Sequence, residues 1–269
     1  NPFIDGFSQA FGRLARHFAG RIGQWEIWNE PNCWSDNPSP GTFTGCSFIY
    51  PSNFAALLTA CYAQVRCESP VAVEVVSGGL FGHEIGGPGT GPAGADYLTQ
   101  TYDQGIASGK FGWARLHCGG YPLDAVGQHI YVSQGGALST SLFGKYLDYI
   151  HGVITRYEGS SSAKATWLTE FGWTNAAVDE TVQAANLAQA LAVVKTKPYV
   201  RSALWFQLDD GPGFGYGLFR ADGSAKPAIS RFRAAAHYVG VRDGGEHGTK
   251  AEEDQRHPGQ ARTHCAPGR

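Results

Sequence analysis

Five short runs of β-forming residues recur along this chain, and each is followed by a segment with the periodicity of a helix. The runs are Ile22 to Trp28, Val71 to Val76, Ala125 to Val132, Ala165 to Phe171 and Ser202 to Leu208. Helical spacing of apolar residues predicts helices over Phe7 to Phe18, Asn53 to Cys67 (capped by Ser52), Ala95 to Ile106, Phe143 to Tyr157, Val182 to Val194 and Ala228 to Tyr238. Strands that alternate with helices pair in parallel, because the crossover helix returns the chain to the same end of the sheet. The fold class is therefore α/β. The extra length between strands falls in loops after strand ends, from Asn32 to Tyr50 and from Gly78 to Gly94. The glycines of the second loop are scattered, with no Gly-Lys-Ser/Thr, so it is not a phosphate loop.

Composition narrows the function. A formal net charge of −2 gives no basic surface for a nucleic acid. No run approaches the roughly 20 apolar residues that span a bilayer. Hydrophobic residues at 42% are enough for a sizeable core. The chain begins at Asn1, contains no Met and carries no secretory leader, so its natural N-terminus is expected further upstream. Six cysteines without a C-x-x-C pair favour an oxidising compartment over a metal site. From Asp243 to Arg269 large apolar residues are almost absent, and such a segment cannot offset the entropy of ordering. The expected organisation is one domain over 1–241 and a disordered tail over 242–269.

Two glutamates, Glu30 and Glu170, stand where apolar runs meet loops. In a parallel barrel the strand C-termini converge on one face, so these carboxylates can meet over one substrate. Cleaving a glycosidic bond requires such a pair, one to protonate the leaving oxygen and one to attack the anomeric carbon or activate water. An acyl hydrolase has no support, because no Gly-x-Ser-x-Gly elbow is present. Glu26, four residues before Glu30 on the same strand, points to the same side and reads as a polar barrel-interior residue rather than a third catalyst.

The context of these residues resembles a known group. Trp25-Glu26-Ile27-Trp28-Asn29-Glu30-Pro31-Asn32 resembles the acid/base strand of clan A glycoside hydrolases, and Trp167-Leu168-Thr169-Glu170-Phe171-Gly172-Trp173 resembles their nucleophile strand. Gln128-His129-Ile130-Tyr131 is similar to their sixth strand and Ala203-Leu204-Trp205-Phe206 to their eighth. Gly217-Leu218-Phe219 and Asp222-Gly223-Ser224-Ala225-Lys226-Pro227-Ala228 resemble closing segments of families 5 and 39.

The resemblance implies a (β/α)8 TIM barrel, incomplete here, with strands four to eight present and the first three absent. It implies cleavage of β-glycosidic bonds by double displacement with retention, with Glu30 as acid/base and Glu170 as nucleophile. Asn29 would bind the sugar 2-hydroxyl, Tyr131 would donate to Glu170, and His129 would pair with sugar or carboxylate. Trp205 would stack beneath the sugar, and Trp34 and Trp173 would line further subsites. Glu170 would be ionised, and Glu30, facing it, would have a raised pKa. No cofactor, metal or obligate protein partner is implied; the partner is an oligo- or polysaccharide and the compartment extracellular. If secreted, Cys33 and Cys46 would close the loop beyond Glu30 with a disulfide. The sugar contacts usually supplied by the first three strands, often including an Arg, have no counterpart here. Two alternatives remain: a complete five-stranded open sheet, and a carbohydrate-binding relic without turnover.

Overall fold

The computed structural model describes residues 1–33, 48–83, 94–211 and 214–236. The expected tail, along with Trp34 and Cys46, lies outside the described residues. The elements run α1 (Pro2–His17), β1 (Gln24–Asn29), α2 (Pro51–Arg66), β2 (Glu74–His83), α3 (Ala95–Ala107), α4 (Lys110–Cys118), β3 (Ala125–Tyr131), α5 (Thr140–Glu158), β4 (Ala165–Phe171), α6 (Glu180–Lys195), β5 (Val200–Trp205) and α7 (Pro227–Ala236).

All five strands pair in parallel, in the order β1-β2-β3-β4-β5. Sequential order with helical crossovers is that of a (β/α) barrel. Among the described residues β1 and β5 have one neighbour each, so the sheet is an open arc, an incomplete barrel. The open side leaves Leu204 of β5 49% exposed.

Local sequence explains most of the elements. The helix α5 buries Phe143, Leu147, Ile150 and Ile154, which recur at helical spacing and face the sheet. Ser139 caps it by accepting from Leu142 N at 3.4 Å. Asp179 caps α6 by accepting from the amides of Thr181 and Val182 at 2.9 and 2.8 Å. The helix α2 begins earlier than expected. Ser52 lies inside its first turn, and Pro51, whose missing N–H costs nothing there, starts the helix without a side-chain cap.

Two further departures matter for the site. The strand β2 runs on through Gly78 and Gly79 to His83, where the sequence reads as the start of a loop. A short helix, α4, occupies Lys110–Cys118 between Gly109 and Gly119, both in the left-handed region.

The N-terminal ends of the strands are tied down by covalent and ionic contacts. A disulfide joins Cys67 to Cys118, at the ends of α2 and α4. Just before β3, Asp124 accepts from Arg66 at 2.6 Å and from Val75 N at 2.7 Å. Glu158 accepts from Lys164 at 2.7 Å and from the Tyr102 hydroxyl at 2.5 Å. At the opposite end, just beyond β1 and Glu30, Cys33 is also disulfide-bonded. Among the described residues no helix is long and apolar enough to cross a membrane.

Candidate active site

The parallel arrangement carries Glu30, His129 and Glu170 to the same end of the sheet. Glu30 follows β1, His129 lies in β3 and Glu170 in β4, in register with His129. The imidazole is 1% exposed and lies between the two carboxylates. Its Nδ1 is hydrogen-bonded to Glu30 Oε1 at 2.9 Å and lies 3.4 Å from Glu170 Oε2. Glu30 and Glu170 each place an oxygen within 4.8 Å of the other and of His129. These are also the described residues whose ligand atoms are close enough to hold a metal ion, though the same atoms engage one another.

Tyr131 Oη donates to Glu170 Oε2 at 2.8 Å. Burial pushes the Glu170 carboxyl above its ordinary value, and the charge of Glu30 adds to that; His129 and the Tyr131 hydrogen bond oppose it. The sequence expects donors such as Tyr131 to hold Glu170 ionised; burial at the end of β4, invisible in a motif, is the larger influence on its carboxyl and acts the other way. Tyr131 is itself driven well above the phenol range by burial and by Glu170, so it stays a proton donor.

The backbone at this end is unusual. Trp28 and Glu30 have φ of 76° and 45°, values that cost non-glycine residues roughly 1–3 kcal/mol each. Asn32, fully buried, supports the turn by donating to Phe81 O and accepting from Phe81 N, both at 2.8 Å. Asn29 ends β1 exposed, paired with Gly79.

Glu26 belongs to the same cluster. It accepts from Thr169 Oγ1 at 2.9 Å, and a Cβ at Gly127 would overlap its carboxylate. Crowding by the neighbouring strands pushes its carboxyl up to about 7. Its exposure on the open side of the arc lets water work against that push.

Two tryptophans are not where the motif puts them. Trp173 is fully buried; its ring packs near Phe143 and Phe171, and its Nε1 donates to Val132 O at 2.9 Å. It offers no free face to a sugar. Trp205 pairs with Phe171 in the sheet, so its indole follows Phe171 to the helix side, with ring centroids 5.4 Å apart and Trp173 at 6.0 Å. Its Nε1 donates to Tyr216 O at 2.8 Å. The next residue, Phe206, meets Tyr131 and Tyr216 instead, at 6.1 and 5.5 Å. The sequence reading missed Phe206 and Tyr216. No signal in the sequence finds Phe206, because register shifts between β4 and β5 break the simple alternation that would place it.

A parallel (β/α) arc with two carboxylates, an imidazole and a phenol gathered at its strand C-termini has the form of a barrel glycoside hydrolase. Residues 80–232 match the family described as glycosyl hydrolase catalytic core. This chain belongs to that family and is a glycoside hydrolase. No curated protein matches it. Among solved structures it is similar to a GH128 (subgroup II) endo-β-1,3-glucanase from Sorangium cellulosum, with 21% identity and a TM-score of 0.58 over 85% of this chain and 75% of that one. It is similar to a family 39 glycoside hydrolase from Bacteroides cellulosilyticus, with 19% identity and a TM-score of 0.59 over 88% of this chain and 44% of that one. A glucosidase from Croceicoccus marinus has 18% identity and a TM-score of 0.60 over 87% of this chain and 46% of that one. The chain thus spans less than half the length of the last two.

Proposed function

We propose that this chain cleaves β-glycosidic bonds in an oligo- or polysaccharide by double displacement, with Glu170 as nucleophile and Glu30 as acid/base. One observation carries the reading: the two carboxylates place oxygens within 4.8 Å of each other. Retaining enzymes hold their carboxyl groups about 5 to 5.5 Å apart, whereas inverting ones need roughly 6.5 to 9.5 Å to admit water. Glu30 gives its proton to the leaving oxygen as Glu170 bonds to the anomeric carbon. Glu30 then takes a proton from water, whose oxygen displaces Glu170 from that carbon. The Tyr131 hydrogen bond occupies Oε2 of Glu170 and leaves Oε1 to attack. His129 orients Glu30. Asn29 binds the 2-hydroxyl in this reading, and Phe206 with Tyr216 forms the aromatic wall assigned by motif to Trp205 and Trp173. We take 1–241 as the catalytic domain and 242–269 as a tail outside it. The Cys67–Cys118 disulfide supports work in an oxidising, extracellular setting.

A second reading, carbohydrate binding without turnover, is favoured by the exposure of Glu26 within the carboxylate cluster. Aryl β-glycosides and β-glucans decide between them. Retention predicts that proton NMR detects the starting anomer first; the opposite anomer first would overturn the assignment of Glu170. Binding of a glucan with no release of sugar would support the second reading.

A further inference from the structure

The segment Asp222 to Ala228 stands out in the sequence, yet none of its residues takes part in the reaction proposed above. Lys226, within it, is 2% exposed. A buried ammonium is costly unless every proton finds an acceptor. Here Nζ donates to Asn175 Oδ1 at 2.5 Å, to Asp210 Oδ1 at 2.6 Å and to Gly215 O at 3.3 Å. These acceptors come from two different loops: Asn175 from the one after β4, Asp210 and Gly215 from the one after β5.

The contacts converge on one short stretch of backbone. Gly215 O also accepts from Asn175 N at 3.0 Å and from Gln183 Nε2 at 3.2 Å. Asp210 Oδ1 also accepts from Gly217 N at 2.9 Å. The residue between the two glycines is Tyr216. Its carbonyl receives the Trp205 indole N–H, and its ring lies 5.8 Å from Tyr131, which donates to Glu170. Neighbouring positions leave no slack. A Cβ at Gly172 would overlap Phe206 O, and one at Gly217 would overlap the backbone of Asp209 and Asp210.

We propose that Lys226 is a positioning residue: its buried ammonium clamps the loop after β5 to the loop after β4, and so holds Tyr216, Phe206 and Tyr131 as the wall of the sugar site. The function of that wall rests on the glycosidase reading; the clamp itself does not. A lysine that served only to stabilise the fold would, on removal, lower the melting temperature and leave the site unchanged. A clamp predicts a local change at Tyr216.

The test uses the whole chain labelled with ¹⁵N, with the Trp205 indole resonance identified by its loss in Trp205→Phe. In Lys226→Met that resonance should shift, and its N–H should exchange with solvent at least about tenfold faster, since Tyr216 O no longer stays in place to accept it. With an aryl β-glycoside, KM should rise about tenfold and kcat fall by less than about threefold, the pattern of lost binding rather than lost chemistry. If Lys226→Met does not fold, Asn175→Ala carries the test, because it removes one acceptor and leaves the Lys226–Asp210 pair. A folded variant whose Trp205 indole neither shifts nor exchanges faster overturns the clamp. If the indole responds but the unaltered chain neither turns over nor binds any glycoside, the clamp stands and the glycosidase reading falls.

Discussion

The two ends of the sheet solve opposite problems. At the N-terminal ends charges are matched: Arg66 with Asp124, Lys164 with Glu158, and a disulfide fastens α2 to α4. At the C-terminal ends two carboxylates face each other across one imidazole. All three described non-glycine residues with positive φ, namely Trp28, Glu30 and Ser133, also lie at that end. Matched charges occur at both ends, Lys226 with Asp210 among the loops after β4 and β5, but the C-terminal end alone also holds like charges and strained backbone close together. In barrels this division lets loops at the site vary without unfolding the scaffold. The comparison is useful because it says where a substitution should register.

The largest contrast should come from Glu170→Ala. Turnover should fall by about four orders of magnitude or more, the scale for removing a nucleophile. The melting temperature should hold or rise, because the repulsion between Glu30 and Glu170 is gone. Added azide should restore reaction and give a product of inverted configuration, while in Glu30→Ala it should give the retained glycosyl azide. A Glu170→Ala chain that keeps its activity, or one that unfolds, would break the division between the two ends.

Next in size is the opposite experiment. Replacing Cys67 and Cys118 by Ser together should cost roughly 2 to 4 kcal/mol of stability. Urea titration measures it. The rate per folded molecule should stay unchanged, since the bond lies at the far end of the strands from the carboxylates.

Smaller effects refine the electrostatics of the upper end. Tyr131→Phe removes a hydrogen bond that lowers the Glu170 pKa. Burial then acts with less opposition, so the acid limb of the rate profile should move to higher pH. No movement would remove Tyr131 from the charge control of the nucleophile.

The smallest concerns Glu26, whose carboxyl is raised from 4.5 to about 7. A raised carboxyl keeps its proton longer in the folded state than in the unfolded one. Its contribution is therefore favourable below pH 4.5 and is lost as pH rises to about 7. Glu26→Gln should flatten that decline in melting temperature across the same window. A decline equal in both forms would mean that water on the open side holds Glu26 at its ordinary value.

How much of this was legible in the sequence depends on the kind of signal. The strand β4 has the expected bounds, Ala165–Phe171, because a short run rich in β-forming residues lies between Lys164 and Gly172. The class of fold followed from the alternation of strands and helices, and the gathering of Glu30 and Glu170 from their place at strand ends. Strand β2 was cut short because Gly78 and Gly79 read as a loop; they serve to admit neighbouring strands, which a single sequence does not reveal. Helix α4 was missed because it is short and weakly amphipathic. The exchange of Trp205 for Phe206 is a question of phase. Composition marks an aromatic strand end, but only the register with Phe171 says which ring turns inward.

Gly79 carries a consequence for how such a site can change over generations. A Cβ there would occupy the space of the His129 imidazole. Residue 79 cannot enlarge while a histidine stands at 129, and a smaller residue at 129 would leave a hollow that an alanine at 79 could fill. The two positions should therefore show sign epistasis: Gly79→Ala deleterious on its own and tolerated, or favoured, once residue 129 has shrunk. Because the smaller residue also gives up the contact with both carboxylates, the step is hard to retrace. A lineage that lost the histidine and then filled the space would have to restore glycine at 79 before a histidine could return at 129.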